Sequence, residues 1–190
     1  GIMYIENGGE MDYENIKSKI TSVLSGLTPE QQYRLLYKEM HDVCKEQEWG
    51  DPFSYARSKE IYAATVLGHR VAATFSGADA FNQEGRPVEY KSTIDSTPKG
   101  SYTGISVQLT WEEQERYLYE EKLAKYPEHY YNRFEDGELV ESWKMKGAEV
   151  YNTLLPKLKK KFPDVLKKKD PRLSANITWT EIKNLGTKVI

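Results

Sequence analysis

Cysteine, histidine and long apolar runs are scarce in this sequence. Its one cysteine, Cys44, cannot pair within the chain, so we expect a reducing, cytoplasmic setting and a packing role for Cys44 in the core. Three histidines, His41, His69 and His129, lack the spacing of metal ligands or of a catalytic triad. No apolar run approaches the roughly 20 residues that span a membrane, and the first residues do not resemble a signal peptide. We therefore expect no membrane partner.

Glycine-rich phosphate loops and Cys-x-x-Cys pairs are also missing, which argues against an NTPase and against a zinc site. The 27 basic and 29 acidic residues give a net charge of −2, so the overall charge does not indicate a nucleic-acid partner. Basic residues are concentrated locally in 157–161 and 167–169, with Arg172 nearby. This stretch fits either phosphate contacts or the solvated end of a helix.

The hydrophobic pattern predicts one domain over residues 1–190, with a helical first third. Helices are predicted over 12–25, over 28–48 and over 53–67. We expect residues 1–10 to be either an added segment or a flexible N-terminus, with the first two residues as the remnant of a tag and Met3 or Met11 as the natural start.

Strands and turns dominate the middle of the chain. We predict a β-hairpin of strands 71–80 and 87–94, then a strand over 103–109 and a helix over 111–125 that Thr110 caps. A second hairpin follows, with strands 128–134 and 139–145, and then a long helix over 147–162 that is interrupted at Pro156. The tail, 176–190, is predicted to be a short helix with a strand after it. This order predicts an α/β (α+β) fold in which helices flank a mixed central sheet.

The most informative chemical pattern lies on the first predicted hairpin. Alternate side chains of a strand share a face, so Glu89 and Lys91 are expected to point the same way about 6.5 Å apart, with Tyr90 on the other face. The preceding strand brings Asp79 beside Glu89 if the two strands are antiparallel. Two neighbouring carboxylates need a cation to neutralise them, and oxygen ligands of this kind suit Mg²⁺.

A third acidic residue, Glu60, is predicted on the preceding helix. Ala56, Glu60, Ala64 and Leu67 form one stripe of that helix, and the small and apolar members indicate that the stripe faces the interior. A carboxylate in such a stripe needs a partner, which a metal beside Asp79 provides. The alternative left open is structural: Glu89 and Lys91 as a solvated pair, Glu60 as a helix residue reaching solvent, and Asp79 as a turn former.

These residues resemble the motif of the PD-(D/E)XK nuclease superfamily, and within it the type II restriction endonucleases. The resemblance covers residues 55–94 and consists of Glu60 inside a helix, Asp79 at the start of a hairpin, and Glu89 and Lys91 on the next strand. Ala78 stands where the family's name has proline. The resemblance implies a restriction-endonuclease-like core that hydrolyses phosphodiester bonds of double-stranded DNA at a short sequence and leaves a 5′-phosphate.

The resemblance also implies a role for each residue. Asp79, Glu89 and the backbone carbonyl of Tyr90 are expected to bind Mg²⁺, which Mn²⁺ can replace, and Glu60 to bind through water or to hold a second metal. Lys91 is expected to position the attacking water. A homodimer and a cognate methyltransferase are implied as partners.

Two further points stay open at this stage. A polar loop after the motif is a weaker candidate for DNA contacts or a plain connection; its residues are Ser92, Thr93, Ser96, Thr97, Lys99 and Tyr102. The alternatives to a restriction enzyme are a less specific repair, resolvase or mobile-element nuclease of the same superfamily, and a non-catalytic DNA-binding protein on the same fold.

Overall fold

The computed structural model describes the backbone of residues 2–5 and 9–190 and the side chains from residue 12 onward. By their contacts the residues form two compact units, Gly1–Glu46 and Gln47–Ile190. All the residues predicted to carry chemistry lie in the second unit. Part of the predicted N-terminal tail, residues 1 and 6–8, lies outside the described residues.

The first unit contains two strands and two helices. Strand β1 (Ile2–Ile5) pairs in antiparallel fashion with β2 (Gly9–Asp12), and helices α1 (Tyr13–Leu24) and α2 (Pro29–Glu46) follow. The side chain of Asp12 caps α1 by accepting hydrogen bonds from two backbone N–H groups of its first turn. Thr28 and Gln31 bond reciprocally at the start of α2. Both helices are confirmed.

The second unit alternates helices and strands. In chain order these are α3 (Arg57–Leu67), β3 (Arg70–Val71), β4 (Ala80–Phe81), β5 (Pro87–Thr93), β6 (Gly100–Ser106), α4 (Trp111–Tyr117) with a π-helical turn (Leu118–Lys122), β7 (Glu128–Glu135), β8 (Glu138–Lys146), α5 (Gly147–Val165), β9 (Arg172–Ile177), α6 (Trp179–Leu185) and β10 (Thr187–Lys188). No helix in the described part of the chain is both long and apolar enough to cross a membrane.

Six strands form the central sheet in the order β10-β8-β7-β5-β4-β3. β5 and β7 run parallel, with Lys91 opposite Tyr131, and the other neighbours run antiparallel. β6 pairs separately with β9. The expectations of a mixed α/β composition and a mixed sheet are therefore confirmed.

Two apolar clusters pack on the two sides of β5 and β7. Val88 and Tyr90 belong to the cluster that contains the buried alanines of α3, whereas Tyr131 belongs to the cluster that α5 closes. Because side chains alternate along a strand, Glu89 and Lys91 point away from Tyr90, toward the side of Tyr131. The charged pair therefore lies at the edge of the larger core.

Two predicted elements are shorter than expected. Helix α3 begins at Arg57 rather than 53, because the side chain of Asp51 binds the Phe53 N–H and the Ser54 hydroxyl, and Tyr55 adopts a positive φ of 51°. The strand predicted over 71–80 is reduced to β3 and β4, with a turn between them in which Gly77 has a φ of 79°. The hairpin with β5 remains.

Other boundaries differ in the second half of the chain. Helix α5 continues through Pro156 and Pro163 to Val165, because a buried apolar face on α5 offsets the backbone hydrogen bonds that the prolines remove. Strand β6 spans Gly100–Ser106 rather than 103–109, and the helix predicted over 111–125 ends as α4 at Tyr117 and continues only as the π-helical turn to Lys122. Strand β9 was not predicted, although the alternation of buried Leu173, Ala175 and Ile177 indicates it. The second hairpin and the C-terminal helix and strand are confirmed.

Candidate active site

Glu89 and Lys91 lie two residues apart on β5 and share one face of the sheet. Lys91 Nζ is 3.5 Å from Glu89 Oε1, and both side chains are about three-quarters buried. Lys91 Nζ also lies 4.5 Å from the centre of the Tyr102 ring on β6. A cation that is desolvated over an aromatic face is held there by the quadrupole of the ring. Lys91 is therefore fixed by an acid on one side and a ring on the other.

The turn before β4 brings Asp79 to the same place. The backbone N–H of Asp79 donates to Val88 O at 3.3 Å, so the hairpin pairing extends one residue beyond β4. In return, Asp79 Oδ2 accepts a hydrogen bond of 2.8 Å from the Tyr90 N–H. Asp79 and Glu89 consequently line the same cavity. This part of the predicted arrangement is present in the structure.

The electrostatics of the two carboxyl groups are unfavourable for ionisation. Burial, followed by the charges of Glu89 and Glu60, raises the pKa of Asp79 to about 8, against the lowering effect of the Tyr90 N–H. Burial also raises the pKa of Glu89, and Lys91 opposes that shift. One lysine is thus too little positive charge to neutralise the cluster. A strongly shifted pKa in a cavity is typical of functional sites.

Glu60 lies behind the cavity rather than in its wall. Arg57 Nη1 is 3.2 Å from Glu60 Oε1, and it also donates to the backbone carbonyl of Asp79 at 3.4 Å. Glu60 still raises the pKa of both Asp79 and Glu89. The helix stripe therefore faces inward as predicted, but the carboxylate has an arginine partner. A direct metal role for Glu60 stays a prediction.

The cavity has a volume of about 310 Å³, and its walls come from the turn before β4, from β5 and β6, and from the π-helical turn with the chain after it. One wall is the bulge of β6, where the register shifts between Tyr102 and Ile105 and Gly104 has a φ of 66°. The lining residues are Gly77, Asp79, Glu89, Lys91, Tyr102, Thr103, Gly104, Ile105, Lys122, Leu123 and Tyr126.

Sequence reasoning missed Lys122 and Tyr126. Lys122 ends the π-helical turn after α4, and its charge lowers the pKa of Glu89. Insertions of this kind in a helix are frequent at functional sites. The Tyr126 hydroxyl donates to Gly77 O at 2.6 Å and so ties the turn before Asp79 to the chain after α4. Their sequence neighbourhood resembles an ordinary charged helix, so no local pattern indicates either role.

A chain of buried hydrogen bonds supports the ring beneath Lys91. Tyr102 Oη lies 2.8 Å from both Tyr131 Oη and His129 Nδ1, and His129 Nε2 lies 2.8 Å from Leu123 O. Burial lowers the pKa of His129 to about 4, so its imidazole is neutral near pH 7. Because Leu123 O can only accept, Nε2 carries the proton, Nδ1 accepts from Tyr102, and Tyr102 accepts from Tyr131.

The residues predicted to contact DNA are divided among several environments. Thr93 accepts from the Asp95 N–H, Lys99 pairs with Asp95, and the buried hydroxyl of Ser92 has no hydrogen-bond partner among the described residues. Only Ser96, Thr97 and Lys99 belong to the loop between β5 and β6. Tyr102 is different from the prediction: it is a buried residue of β6 whose hydroxyl is engaged internally, so we assign it to the support of Lys91.

The donor set for a metal consists of two carboxylates. Among the side chains that the structure describes, those of residues 12–190, no group of three or more His, Cys, Asp or Glu is arranged to hold a metal ion. Mg²⁺, however, is commonly bound through one or two carboxylates and water. Asp79 and Glu89 face one cavity in which burial raises the pKa of both, and the Tyr90 carbonyl lies between Glu89 and Lys91 along the chain. These residues fit a hard divalent cation.

Searches of protein-family models and of curated proteins give no match to the chain.

Proposed function

We propose that the chain is a magnesium-dependent DNA endonuclease of the PD-(D/E)XK type, and more specifically a type II restriction endonuclease. The observation that carries the proposal is the pairing of Asp79 and Glu89 in one cavity with Lys91 3.5 Å from Glu89. The short hairpin that brings Asp79 beside β5, with α3 before it, matches the order of the motif. The restriction-endonuclease-like core is part of this proposal.

The main support for a metal is that Asp79 and Glu89 line one cavity, and the raised pKa of both carboxyl groups agrees with it. Two buried carboxylates repel each other, and a divalent cation removes that repulsion. Asp79, Glu89 and the carbonyl of Tyr90 would hold Mg²⁺, with Mn²⁺ as a substitute. When bound, the ion supplies Lewis acidity to the scissile phosphate and lowers the pKa of water.

The positive side chains act on the phosphate and the nucleophile. Lys91 Nζ, held between Glu89 and the Tyr102 ring, orients the attacking water and donates a hydrogen bond to a non-bridging phosphate oxygen. Lys122, at the rim of the cavity, attracts the DNA backbone. The water oxygen forms the new bond to phosphorus while the bond from phosphorus to O3′ breaks. The products carry a 5′-phosphate and a 3′-hydroxyl.

The biological setting follows from the proposed activity. Double-stranded DNA lies across the cavity, with Ser96, Thr97 and Lys99 of the loop between β5 and β6 as contacts to phosphates or base edges. A homodimer supplies one site for each strand. A cognate methyltransferase protects the host DNA, and both enzymes act in the cytoplasm.

Digestion of phage DNA tests the proposal. The purified chain is incubated with DNA of mixed sequence in Mg²⁺, in Mn²⁺ and in EDTA. Discrete fragments that require metal, and that ligate without prior phosphorylation, are expected. A metal-dependent smear would replace the restriction role by that of a less specific nuclease. Intact DNA that is nevertheless retarded on a gel would contradict catalysis and favour the non-catalytic DNA-binding protein.

A further inference from the structure

Strands β6 and β9 form a two-stranded antiparallel ribbon that is separate from the central sheet. The apolar side chains of its inner face belong to the larger core: Tyr102, Ile105, Leu173, Ala175 and Ile177. Side chains alternate along a strand, so the others point away from the core. Six of these are exposed, and we call them the outer face of the ribbon: Ser101, Thr103, Ser106, Arg172, Ser174 and Asn176.

The outer face differs in composition from an ordinary solvated strand face. Each of its six side chains carries a hydroxyl, amide or guanidinium group, and none is acidic or apolar. The exposed positions of β8, by comparison, include both Glu138 and Lys146. Arg172 pairs with the exposed Asp170 at 3.2 Å, whereas the hydroxyl and amide groups of the outer face have no hydrogen-bond partner among the described residues. These groups are therefore free to bind a polar ligand.

Positive charge surrounds the outer face. Residues 157–172 contain eight basic and two acidic side chains, and residues 167–169, just before β9, are three exposed lysines. On α5, Lys161 Nζ donates to Ser174 O at 2.6 Å, and Lys157 Nζ donates to Asn176 O at 2.8 Å. The basic stretch thus lies along the free edge of β9 and at its start. A surface of neutral hydrogen-bonding groups with a basic border suits a polyanion.

The ribbon also forms part of the candidate active site. Its register shifts so that two residues of β6, Thr103 and Gly104, stand opposite Ser174 of β9. Thr103 and Gly104 line the cavity that contains Asp79 and Glu89. The outer face therefore begins at the rim of this cavity. A long ligand with one group in the cavity can extend directly over the ribbon.

We propose that the outer face of the β6–β9 ribbon lies in the major groove of the DNA and determines which base sequence is bound. The major groove, about 12 Å wide, admits a two-stranded ribbon, and asparagine and serine side chains form hydrogen bonds with base edges there. Asn176 and Ser174 contact bases, and the lysines of residues 167–169 contact the neighbouring phosphates. The inference rests on the proposed function, because it takes double-stranded DNA as the substrate of the adjacent cavity.

Selection of duplexes from a pool with a randomised central segment tests this assignment. The pool is incubated with the purified full chain in Ca²⁺, an ion that oxygen ligands also bind, and the retained duplexes are sequenced. Asn176→Ala and Ser174→Ala are compared with the unaltered chain. Asn152→Ala, which removes an exposed asparagine of α5, is the matched control. Circular dichroism of each variant verifies that it is folded.

The unaltered chain and Asn152→Ala are expected to retain the same short sequence. Asn176→Ala should accept other bases at one or two positions of that sequence and bind the selected duplex about tenfold to a hundredfold more weakly. Ser174→Ala should have a smaller effect of the same kind. Neither variant should change the affinity for a shuffled duplex. Replacing the three lysines of residues 167–169 by alanine should weaken binding of both duplexes equally and reduce the salt dependence.

Two results would overturn the inference while leaving the proposed nuclease function intact, provided that the unaltered chain cleaves plasmid DNA in Mg²⁺. One is selection of the same sequence, equally sharply, by Asn176→Ala and Ser174→Ala, which would mean that other residues contact the bases. The other is retention of duplexes by the unaltered chain without any preferred sequence. If no duplex is retained and plasmid DNA also stays intact in Mg²⁺, the inference and the proposed function both fail.

Discussion

Replacing Asp79 by Asn should stabilise the metal-free protein at neutral pH. The amide has the shape of the carboxylate, and its oxygen can still accept the hydrogen bond from the Tyr90 N–H. The change removes a carboxyl group that must stay protonated, or else carry a buried charge close to Glu89 and Glu60. Sites built for function are commonly held at a cost in stability.

The size of the effect follows from the pKa of Asp79. It is 3.8 for an ordinary aspartate and about 8 in the folded chain. Because the pKa is raised, the folded state retains a proton that the unfolded state has lost, and stability falls as the pH rises from 3.8 to 8. The slope approaches 1.4 kcal/mol per pH unit, which amounts to on the order of 4 kcal/mol at pH 7. Above pH 8 the loss is constant.

Urea unfolding in EDTA across a pH series measures this difference. The variant and the unaltered chain should be equally stable near pH 4 and diverge progressively up to pH 8, with the variant more stable. Asp136→Asn is the matched control, because Asp136 is an exposed turn residue whose φ of 52° suits asparagine. Added Mg²⁺ should stabilise the unaltered chain and leave Asp79→Asn nearly unaffected.

A difference that does not change with pH would refute this account of the site. So would an Asp79→Asn variant that is less stable than the unaltered chain at pH 7 in EDTA, because Asp79 would then be a structural turn residue. Equal stabilisation of both proteins by Mg²⁺ would place the metal elsewhere.

Three further predictions concern the surroundings of Lys91. In NMR titrations the His129 imidazole should stay neutral until about pH 4. Because the unfolded state takes up this proton near pH 6.5, acidification from pH 6.5 to 4 should lower the free energy of unfolding by on the order of 3 kcal/mol. Titration of His129 near pH 6.5 would contradict the buried hydrogen-bond chain. Tyr102→Phe should cleave DNA at a rate within a few-fold of that of the unaltered chain, while its free energy of unfolding falls by about 1–3 kcal/mol. Tyr102→Leu also removes the ring beneath Lys91 and should slow cleavage. Equal cleavage rates of the two variants would exclude the ring as a support for Lys91. Lys122→Ala should weaken DNA binding measured by fluorescence anisotropy. The slope of the logarithm of the binding constant against the logarithm of the salt concentration should fall in magnitude by about one. An unchanged slope would exclude Lys122 from the DNA interface.

The elements that sequence predicts best are those with local causes. Thr28 and Thr110 cap their helices, and Asp136 and Gly137 adopt the positive φ values of a hairpin turn. The shared face of Glu89 and Lys91 follows from strand alternation alone, and it was correctly predicted. These features require no knowledge of distant residues.

Long-range contacts explain what sequence reasoning missed. Tyr102 lies beneath Lys91 only because β6 passes over β5, and Lys122 reaches the cavity only because a π-helical turn ends α4. Arg57, three residues before Glu60 on the same helix, is held beside it by hydrogen bonds to the backbone carbonyls of Ala72 and Asp79, which the local sequence does not reveal. Strand β9 was missed because its register is set by β6, about 70 residues earlier in the chain.

The most direct test of the central claim is the initial rate of plasmid DNA cleavage in Mg²⁺ by the unaltered chain, by Lys91→Ala and by Lys188→Ala. Lys188 is an exposed lysine of β10, so its removal controls for the loss of one positive charge. Metal-dependent cleavage is expected from the unaltered chain and from Lys188→Ala, and a rate lower by about a hundredfold or more is expected for Lys91→Ala. Equal rates for all three proteins, or intact plasmid with each of them, would contradict the assignment of Asp79, Glu89 and Lys91 as the catalytic site.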